Sequence, residues 1–235
     1  MKRFLAILMI VALGVFLVAG SASALSIRLT EGANQVVVAD GGGGDVNPNP
    51  GAVTFIGSVG TFNINVSTGL SKPAVGNPPI FVEMDLNSVN TSTGAGGTLL
   101  IELSDNGFTL NAPGATFGFV ASIGGTTEGT LDFYNTYIDY ADGLFVQGAL
   151  ITSQGPFVPP PPGFSDTATG TVASDPDVFS LTQVVQMTHP ASGQGTRVSS
   201  FDANLRSVPE PGTLLLIGTG LIGLAGLGRR KLRKK

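Results

Sequence analysis

The pentapeptide FNINV, residues 62–66, is the stretch that decides the fold of this chain. Its apolar and polar residues alternate with a period of two, which is typical of a β-strand that buries one face. The same alternation recurs in four further segments: residues 80–86, 98–103, 179–187 and 201–206. Because the body of the chain shows no long helical spacing, these patterns predict a domain built from strands.

Weaker strand signals lie between these segments, at residues 26–29, 35–38, 53–55, 116–122, 130–140 and 144–151. Clusters of Gly, Asn, Asp and Pro separate them, as turns require. About ten short strands with polar outer faces predict an all-β fold, an antiparallel two-sheet β-sandwich or jelly-roll-like domain. We interpret residues 154–175, which include four consecutive prolines at 159–162, as a long surface loop within that domain.

The N-terminus has the three parts of a secretory signal peptide. Lys2 and Arg3 precede an apolar run at residues 4–19, and Ala22-Ser23-Ala24 follows as a small-residue cleavage site. We therefore expect recognition of Ala22 and Ala24, with cleavage after Ala24. Residues 1–24 are then the signal peptide, and residues 25–207 are the exported β-sandwich.

Residues 208–235, VPEPGTLLLIGTGLIGLAGLGRRKLRKK, form a third region with its own order of parts. The triplet Pro209-Glu210-Pro211 comes first, and an uncharged span at residues 213–228 follows. As a helix this span would be about 24 Å long, somewhat short of the roughly 30 Å hydrocarbon core of a bilayer. We predict a single transmembrane helix there, because inside lipid the backbone must pair with itself.

A basic tail at residues 229–235 follows the span. Cations that directly follow a transmembrane segment stay on the cytoplasmic side. The residues that we expect to orient the segment in this way are Arg229, Arg230 and Lys231.

The triplet, the short Gly- and Leu-rich span and the basic cluster, in this order, resemble the PEP-CTERM sorting signal of Gram-negative bacteria. The resemblance implies recognition of Pro209, Glu210 and Pro211 by an exosortase, a membrane cysteine protease or transpeptidase. It also implies cleavage near the triplet, followed by release or transfer to the cell surface. The chemistry of the triplet agrees with cleavage there, because two prolines hold a segment extended and proteases bind extended chain.

The charge of the body narrows the range of partners. Residues 25–212 hold 16 acidic and 4 basic residues, which is a formal net charge of −12. Nucleic acid and anionic lipid would be repelled, so we expect neither as a partner of the body. The chain has no Cys, which excludes disulfides and thiolate metal sites.

The sequence offers little catalytic chemistry, and we predict that the protein is not an enzyme. His189 is the only histidine, it ends a strand before Pro190, and no nucleophile-elbow motif accompanies it. Glu83 and Asp85 share the outer face of one predicted strand, which is the ordinary place for solvated acids. The three tyrosines, which we assign mainly to core packing, are Tyr134, Tyr137 and Tyr140.

The Gly-rich loop after residue 39 raises the question of a metal. Asp40, Asp45 and Asn47 place oxygen atoms on a flexible loop, as a hard cation requires. The loop lacks the ligand spacing and the terminal Glu of an EF-hand. We therefore predict no cofactor and interpret the loop as a turn, with a structural calcium ion as the alternative.

Together these observations favour a structural or adhesive protein of the cell surface or extracellular matrix. The resemblance links such proteins to exopolysaccharide and biofilm. The expected partners are the exosortase, extracellular polysaccharide and, transiently, the inner membrane. A carbohydrate-binding module on the same sandwich is the alternative, and a secreted hydrolase is a third.

Overall fold

A computed structural model describes residues 25–109, 116–160, 162–173, 178–193, 195–208 and 219 of the chain. The described body is made of β-strands joined by loops and turns. In chain order the strands are β1 (Ser26–Glu31), β2 (Asn34–Ala39), β3 (Ala52–Val59), β4 (Phe62–Leu70), β5 (Glu83–Ser92), β6 (Gly97–Phe108), β7 (Thr116–Thr127), β8 (Thr130–Asp139), β9 (Ala149–Gln154), β10 (Gly163–Ala173), β11 (Phe179–His189) and β12 (Arg197–Val208).

The strands form two six-stranded antiparallel sheets that pack face to face. The first sheet has the order β2-β1-β6-β11-β8-β9, and the second has the order β10-β7-β12-β5-β4-β3. Most neighbours in the sheets are not neighbours in sequence, so the chain crosses repeatedly between the two layers. This architecture confirms the predicted all-β two-sheet sandwich.

Period-two alternation accounts for the core. In β5 the even-numbered residues Met84 and Leu86 are buried, while Glu83 and Asp85 point outwards and are half-exposed. In β12 the odd-numbered residues are buried instead. The interior strands therefore each contribute an apolar row to one core between the sheets, where the hydrophobic effect gives the largest stabilisation.

Strand β10 is the clearest difference from the sequence analysis, which placed a loop at residues 154–175. Strand β10 pairs with β7 over its whole length but has no hydrogen-bonded neighbour on its other side. Most of its side chains are exposed, and Val172 is its one buried residue. Its less exposed positions do alternate, but they include the small residues Ala168 and Gly170, and Asp166 interrupts the row, so the apolar pattern was too weak to indicate an edge strand.

Two predicted strand boundaries also shift. The segment before β5 does not begin a strand at residue 80, because the Ile80 N–H bonds to the Asn77 carbonyl in a turn and the side chain is 71% exposed. Strand β9 begins at Ala149 rather than at residue 144. Phe145 has φ of 59°, a left-handed conformation that a strand cannot contain.

Within the described ranges, no helix is long and apolar enough to cross a membrane. The predicted span at residues 213–228 lies outside those ranges, apart from Thr219. The predicted signal peptide at residues 1–24 lies outside them as well.

Two adjacent glycines of β7 provide a test of the second sheet. A Cβ added at Gly125 would overlap the Ser200 carbonyl oxygen and would lie 2.8 Å from the Phe201 Cα, so backbone of β12 would have to move. We expect Gly125→Ala to lower the free energy of unfolding by about 1–3 kcal/mol, as overpacking does. Urea denaturation followed by circular dichroism measures this.

Gly124→Ala is the matched control for that substitution. Its added Cβ would meet the Phe164 carbonyl oxygen at 3.6 Å, an ordinary contact. It should therefore leave stability nearly unchanged. Equal destabilisation by the two substitutions would contradict the described packing of β7 on β12.

Candidate functional site

The residues that sequence analysis assigned to processing lie outside the described part of the chain. They are the signal-cleavage residues Ala22 and Ala24, the sorting triplet Pro209, Glu210 and Pro211, and the orienting cations Arg229, Arg230 and Lys231. The structure instead shows what adjoins them, because both Leu25 and Val208 are described. The first candidate site therefore consists of the two ends of the described body, next to the predicted processing segments.

The C-terminal flank of the body is a central strand. Strand β12 lies between β7 and β5, and its pairing with β7 continues to Val208, which lies opposite Gly118. Near the same point, the Ser207 N–H donates to the Val82 carbonyl at 2.9 Å. The Val82 N–H donates in return to the Ser207 hydroxyl at 2.8 Å. The ordered sheet therefore extends to the residue directly before Pro209.

The N-terminal flank is equally close to the fold. Leu25, the first residue after the predicted cleavage site, is fully buried, and its carbonyl accepts the Asp40 N–H at 2.9 Å. Strand β1 begins at the next residue. The folded body therefore starts where the predicted mature chain would start.

Both flanks lie at one end of the sandwich, which we call the terminus end. Ser26 pairs with Ala39 and Ser104, so β1 begins beside the last residues of β2 and close to the end of β6. The connection from β6 to β7 is short, and β7 begins next to the end of β12. The loops at this end are those that follow β2, β4, β6, β8 and β10.

A second candidate site is a polar depression on the outer face of the second sheet. Its volume is about 400 Å³, and the lining alternates between hydroxyl, amide and carboxylate side chains. The side chains that line it include Asp85, Ser122, Ser165, Thr167, Asp202 and Asn204. Asn204 lies opposite both Asp85 and Ser122 in the sheet, so adjacent strands bring these groups together.

Asp85 is the most perturbed carboxyl of this depression. Partial burial raises its pKa from 3.8 to about 6, and the neighbouring Asp202 carboxylate adds to the rise. The Asn204 amide, which also donates to Glu83 Oε1 at 3.0 Å, opposes the shift. Near neutral pH the depression therefore presents closely spaced negative charge and hydrogen-bonding groups.

Sequence analysis placed Glu83 and Asp85 on one outer face, as the structure does, but it did not pair Asp85 with Asp202. The sequence does indicate that Asp202 and Asn204 face outwards, because they alternate with buried residues of β12. What alternation cannot supply is strand order. Strands β5 and β12 are more than 100 residues apart and yet adjacent in the sheet.

His189 lies inside the fold, in a hydrogen-bonded network. Its Nδ1 is 2.8 Å from the Ser92 hydroxyl, and its Nε2 is 2.7 Å from the Ser199 hydroxyl. Burial, with a smaller effect from Arg197, lowers the pKa of the imidazole. Both serines are buried, so neither hydroxyl is placed to meet a substrate from solvent. The histidine ends β11, as the sequence predicted.

The loop that raised the question of calcium uses its carboxylates for backbone hydrogen bonds. The Asp45 carboxylate accepts the amides of Gly41, Asn47 and Thr54, each at 2.9 Å. The Asp40 carboxylate accepts the Gly51 amide at 2.7 Å. Among the described residues, no three acidic, His or Cys side chains converge as a metal site requires. This geometry is that of a turn held by its own side chains.

The predicted core packing holds for Tyr134 and in part for Tyr140, but not for Tyr137. Tyr134 is fully buried and donates to the Gln183 side-chain oxygen at 2.6 Å. Tyr137 lies on the outer face, opposite Thr182 and Leu150, and is half-buried. Tyr140 lies just beyond the strand and packs partly against the core.

Sequence analysis did not anticipate that the loop after β8 lies against the outer face of the first sheet. Glu102 is 1% exposed there and forms a two-point ion pair with Arg28. The Phe145 ring lies 4.4 Å from the guanidinium carbon of Arg28. The loop that follows β8 thus folds back over β6 and shields a partly buried charge pair.

Comparison with known proteins identifies the C-terminal region. Residues 207–233 match the family described as the PEP-CTERM protein-sorting motif. The chain therefore carries this motif, as the resemblance predicted. The motif implies an exported surface protein that an exosortase processes. No curated protein matches the chain significantly.

Solved structures resemble the body only distantly. A β-glucosidase from Kluyveromyces marxianus shares 12% identity over 79% of this chain, with a TM-score of 0.29, and the chain spans 16% of its length. The adhesin domain of Epf from Streptococcus pyogenes shares 8% identity over 77% of this chain and 57% of that one, with a TM-score of 0.33. The N-terminal cellulose-binding domain of β-1,4-glucanase C from Cellulomonas fimi shares 13% identity over 72% of this chain and 95% of that domain, with a TM-score of 0.29. Similarities this weak support no conclusion about function.

The raised pKa of Asp85 makes a prediction about stability and pH. Since the folded value of about 6 lies above the unfolded value of 3.8, ionisation of Asp85 destabilises the fold as the pH rises through this window. We expect Asp85→Asn to raise Tm by roughly 2–5 °C at pH 7.5 and to leave it unchanged near pH 4. Thermal unfolding of both proteins at the two pH values measures this.

His189 also makes the stability depend on pH, but both proteins carry it. The difference in Tm between them at one pH therefore reports on Asp85 alone. Identical Tm values for the two proteins at pH 7.5 would show that Asp85 ionises without a cost to the fold.

Proposed function

We propose that this chain is the precursor of an extracellular-matrix protein that is held in the inner membrane by residues 213–228. An exosortase then cuts it near Pro209-Glu210-Pro211. The β-sandwich that remains has a structural or adhesive role among extracellular polysaccharides. In this proposal the protein performs no catalysis of its own.

The observation that carries the proposal is the position of the sorting motif relative to the fold. The family match begins at Ser207, inside the last two residues of β12, so the motif follows the sheet without an intervening domain. Leu25, the first residue after the predicted signal-cleavage site, is buried, which supports a mature chain that starts there. In the proposed precursor the β-sandwich lies between the signal peptide and the sorting motif.

The role among polysaccharides is supported by the polar depression on the second sheet. Its hydroxyl, amide and carboxylate groups can exchange hydrogen bonds with sugar hydroxyls, and its charge disfavours polyanions. A neutral or weakly charged polysaccharide fits this surface best. The second candidate function, a dedicated carbohydrate-binding module, would use the same groups with greater affinity and selectivity.

The two cleavages can be tested together by intact mass measurement of the protein recovered from its native host. We expect a species that begins at Leu25 and ends between residues 209 and 212. The reason is that both boundaries coincide with the edges of the folded body. A species that retains Lys235 would make the C-terminal segment a permanent anchor and would exclude the exosortase.

The sorting triplet can be tested by substitution in the same host. Glu210→Ala, or alanine at both Pro209 and Pro211, should leave the full-length protein in the inner membrane. The extended, charged triplet is what the enzyme is expected to bind. Glu83→Ala, in the body, is the control and should be processed as the wild type is. Membrane fractionation with immunoblotting gives the readout.

The polysaccharide role can be tested by affinity electrophoresis in gels that contain neutral matrix polysaccharide from the host. Asp202→Ala removes an exposed carboxylate of the depression and should weaken retention about tenfold or more, as loss of a charged hydrogen bond does. Ser153→Ala, on the exposed outer face of β9, is the control and should not change retention. Equal retention of all three proteins would remove the depression from the proposal.

A further inference from the structure

Exposed aliphatic side chains gather at the terminus end of the sandwich. Ile80 is 71% exposed, Val46 is 56% exposed, Val178 is 42% exposed and Val208 is 38% exposed. They lie on three separate connections and on the end of β12. With Val146 on the loop after β8, five of the ten exposed large hydrophobic side chains of the described residues belong to this end, whereas the other five are spread over strand faces and the opposite end. A concentration of this kind, unlike single exposed residues, indicates a contact surface.

The positions of these side chains are fixed by backbone hydrogen bonds. The turn that carries Ile80 is closed by the Ile80 N–H to the Asn77 carbonyl at 2.8 Å and by the Asn77 N–H to the Phe81 carbonyl at 2.9 Å. The Val46 N–H donates to the Thr54 carbonyl at 3.0 Å. Val178 directly precedes β11. These side chains are therefore presented by ordered backbone.

The chain beyond the structure limits what can lie opposite this end. Five residue steps separate Val208 from Thr213, the first residue of the apolar segment. Fully extended, they span no more than about 18 Å. When that segment is in a bilayer, as the proposed function requires, the terminus end must lie at the membrane surface.

We propose that the terminus end is a lipid-contact surface, on which Ile80, Val46 and Val178 enter the bilayer interface while the precursor is anchored. This inference rests on the membrane-held precursor of the proposed function. The partner is the uncharged part of the interface, since the contact is aliphatic and the body is acidic. The tether keeps the local lipid concentration high, so a weak contact suffices.

The electrostatics of this end are compatible with such a contact. The described carboxylates of this end have partners that partly compensate their charge near a surface. Asp40, Asp45, Asp139 and Asp142 accept backbone amides, and Asp105 pairs with Lys72. Anionic lipid is not required for attraction. We therefore expect the contact to depend little on ionic strength, unlike binding by a basic patch.

The absence of cysteine makes a direct test straightforward, because one introduced thiol can carry one probe. The full-length chain with Ile80→Cys or Val178→Cys is labelled with a nitrobenzoxadiazole fluorophore. It is then reconstituted in vesicles of phosphatidylcholine and phosphatidylethanolamine. Val158→Cys is the matched control, since Val158 is 62% exposed but lies in the loop between β9 and β10, at the opposite end.

Lipids that carry a nitroxide on the acyl chain serve as the quencher. We expect them to quench the probe at positions 80 and 178 at least threefold more than at position 158. Equal quenching at the three positions, in chains that float with the vesicles, would overturn the lipid contact and leave the anchored precursor intact. Chains that do not float with vesicles would overturn the anchored precursor and the lipid contact with it.

A linker variant separates contact from enforced proximity. Insertion of about 20 Gly and Ser residues between Val208 and Pro209 lowers the local concentration without altering the sandwich. Preferential quenching at position 80 should persist in reduced form. Its complete loss would show that the short tether alone brings this end to the membrane, and would overturn the proposal.

Discussion

The pairing of β12 with β5 and β7 is the constraint on which the rest of the molecule depends. This strand supplies Phe201, Ala203 and Leu205 to the core and, on its outer side, Asp202 and Asn204 to the polar depression. It also ends where the sorting motif begins. Core packing, the candidate polysaccharide surface and the presentation of the processing segment thus depend on the two hydrogen-bond ladders of one strand. A change in its register would move all three at once, since a one-residue slip exchanges the two faces.

Sequence alone was sufficient for the fold class, because the interior strands carry apolar alternation that only a half-buried strand explains. It was insufficient for β10, an edge strand whose alternation is weak because its less exposed positions include Ala168 and Gly170. It also extended β5 towards Ile80 and β9 towards residue 144, where Pro78 and Pro79 and the left-handed Phe145 stop a strand. Local pattern reports burial, and it fails where a segment is ordered without being buried.

The processing segments could be predicted from the sequence, but the polar depression could not. The C-terminal sorting motif is a linear signal, and the order of its parts along the chain was enough to identify it. The signal peptide at residues 1–24 stays a prediction. The depression around Asp85 and Asp202 is a product of strand order, which places β12 beside β5 across a long separation in sequence. No spacing rule along the chain encodes that adjacency. The raised pKa of Asp85 has the same origin, since it needs both burial and the second carboxylate.

The departure of both chain ends from one side of the sandwich has a consequence for how such proteins diversify. If the mature chain starts at Leu25, as proposed, the described β-sandwich from Leu25 to Val208 can be exchanged as a unit between the export signal and the sorting motif. Loops at the far side, and both outer faces, can change without disturbing the segments that the export and sorting machinery reads. The sorting of such a protein and the surface chemistry of its sandwich can then change independently of each other.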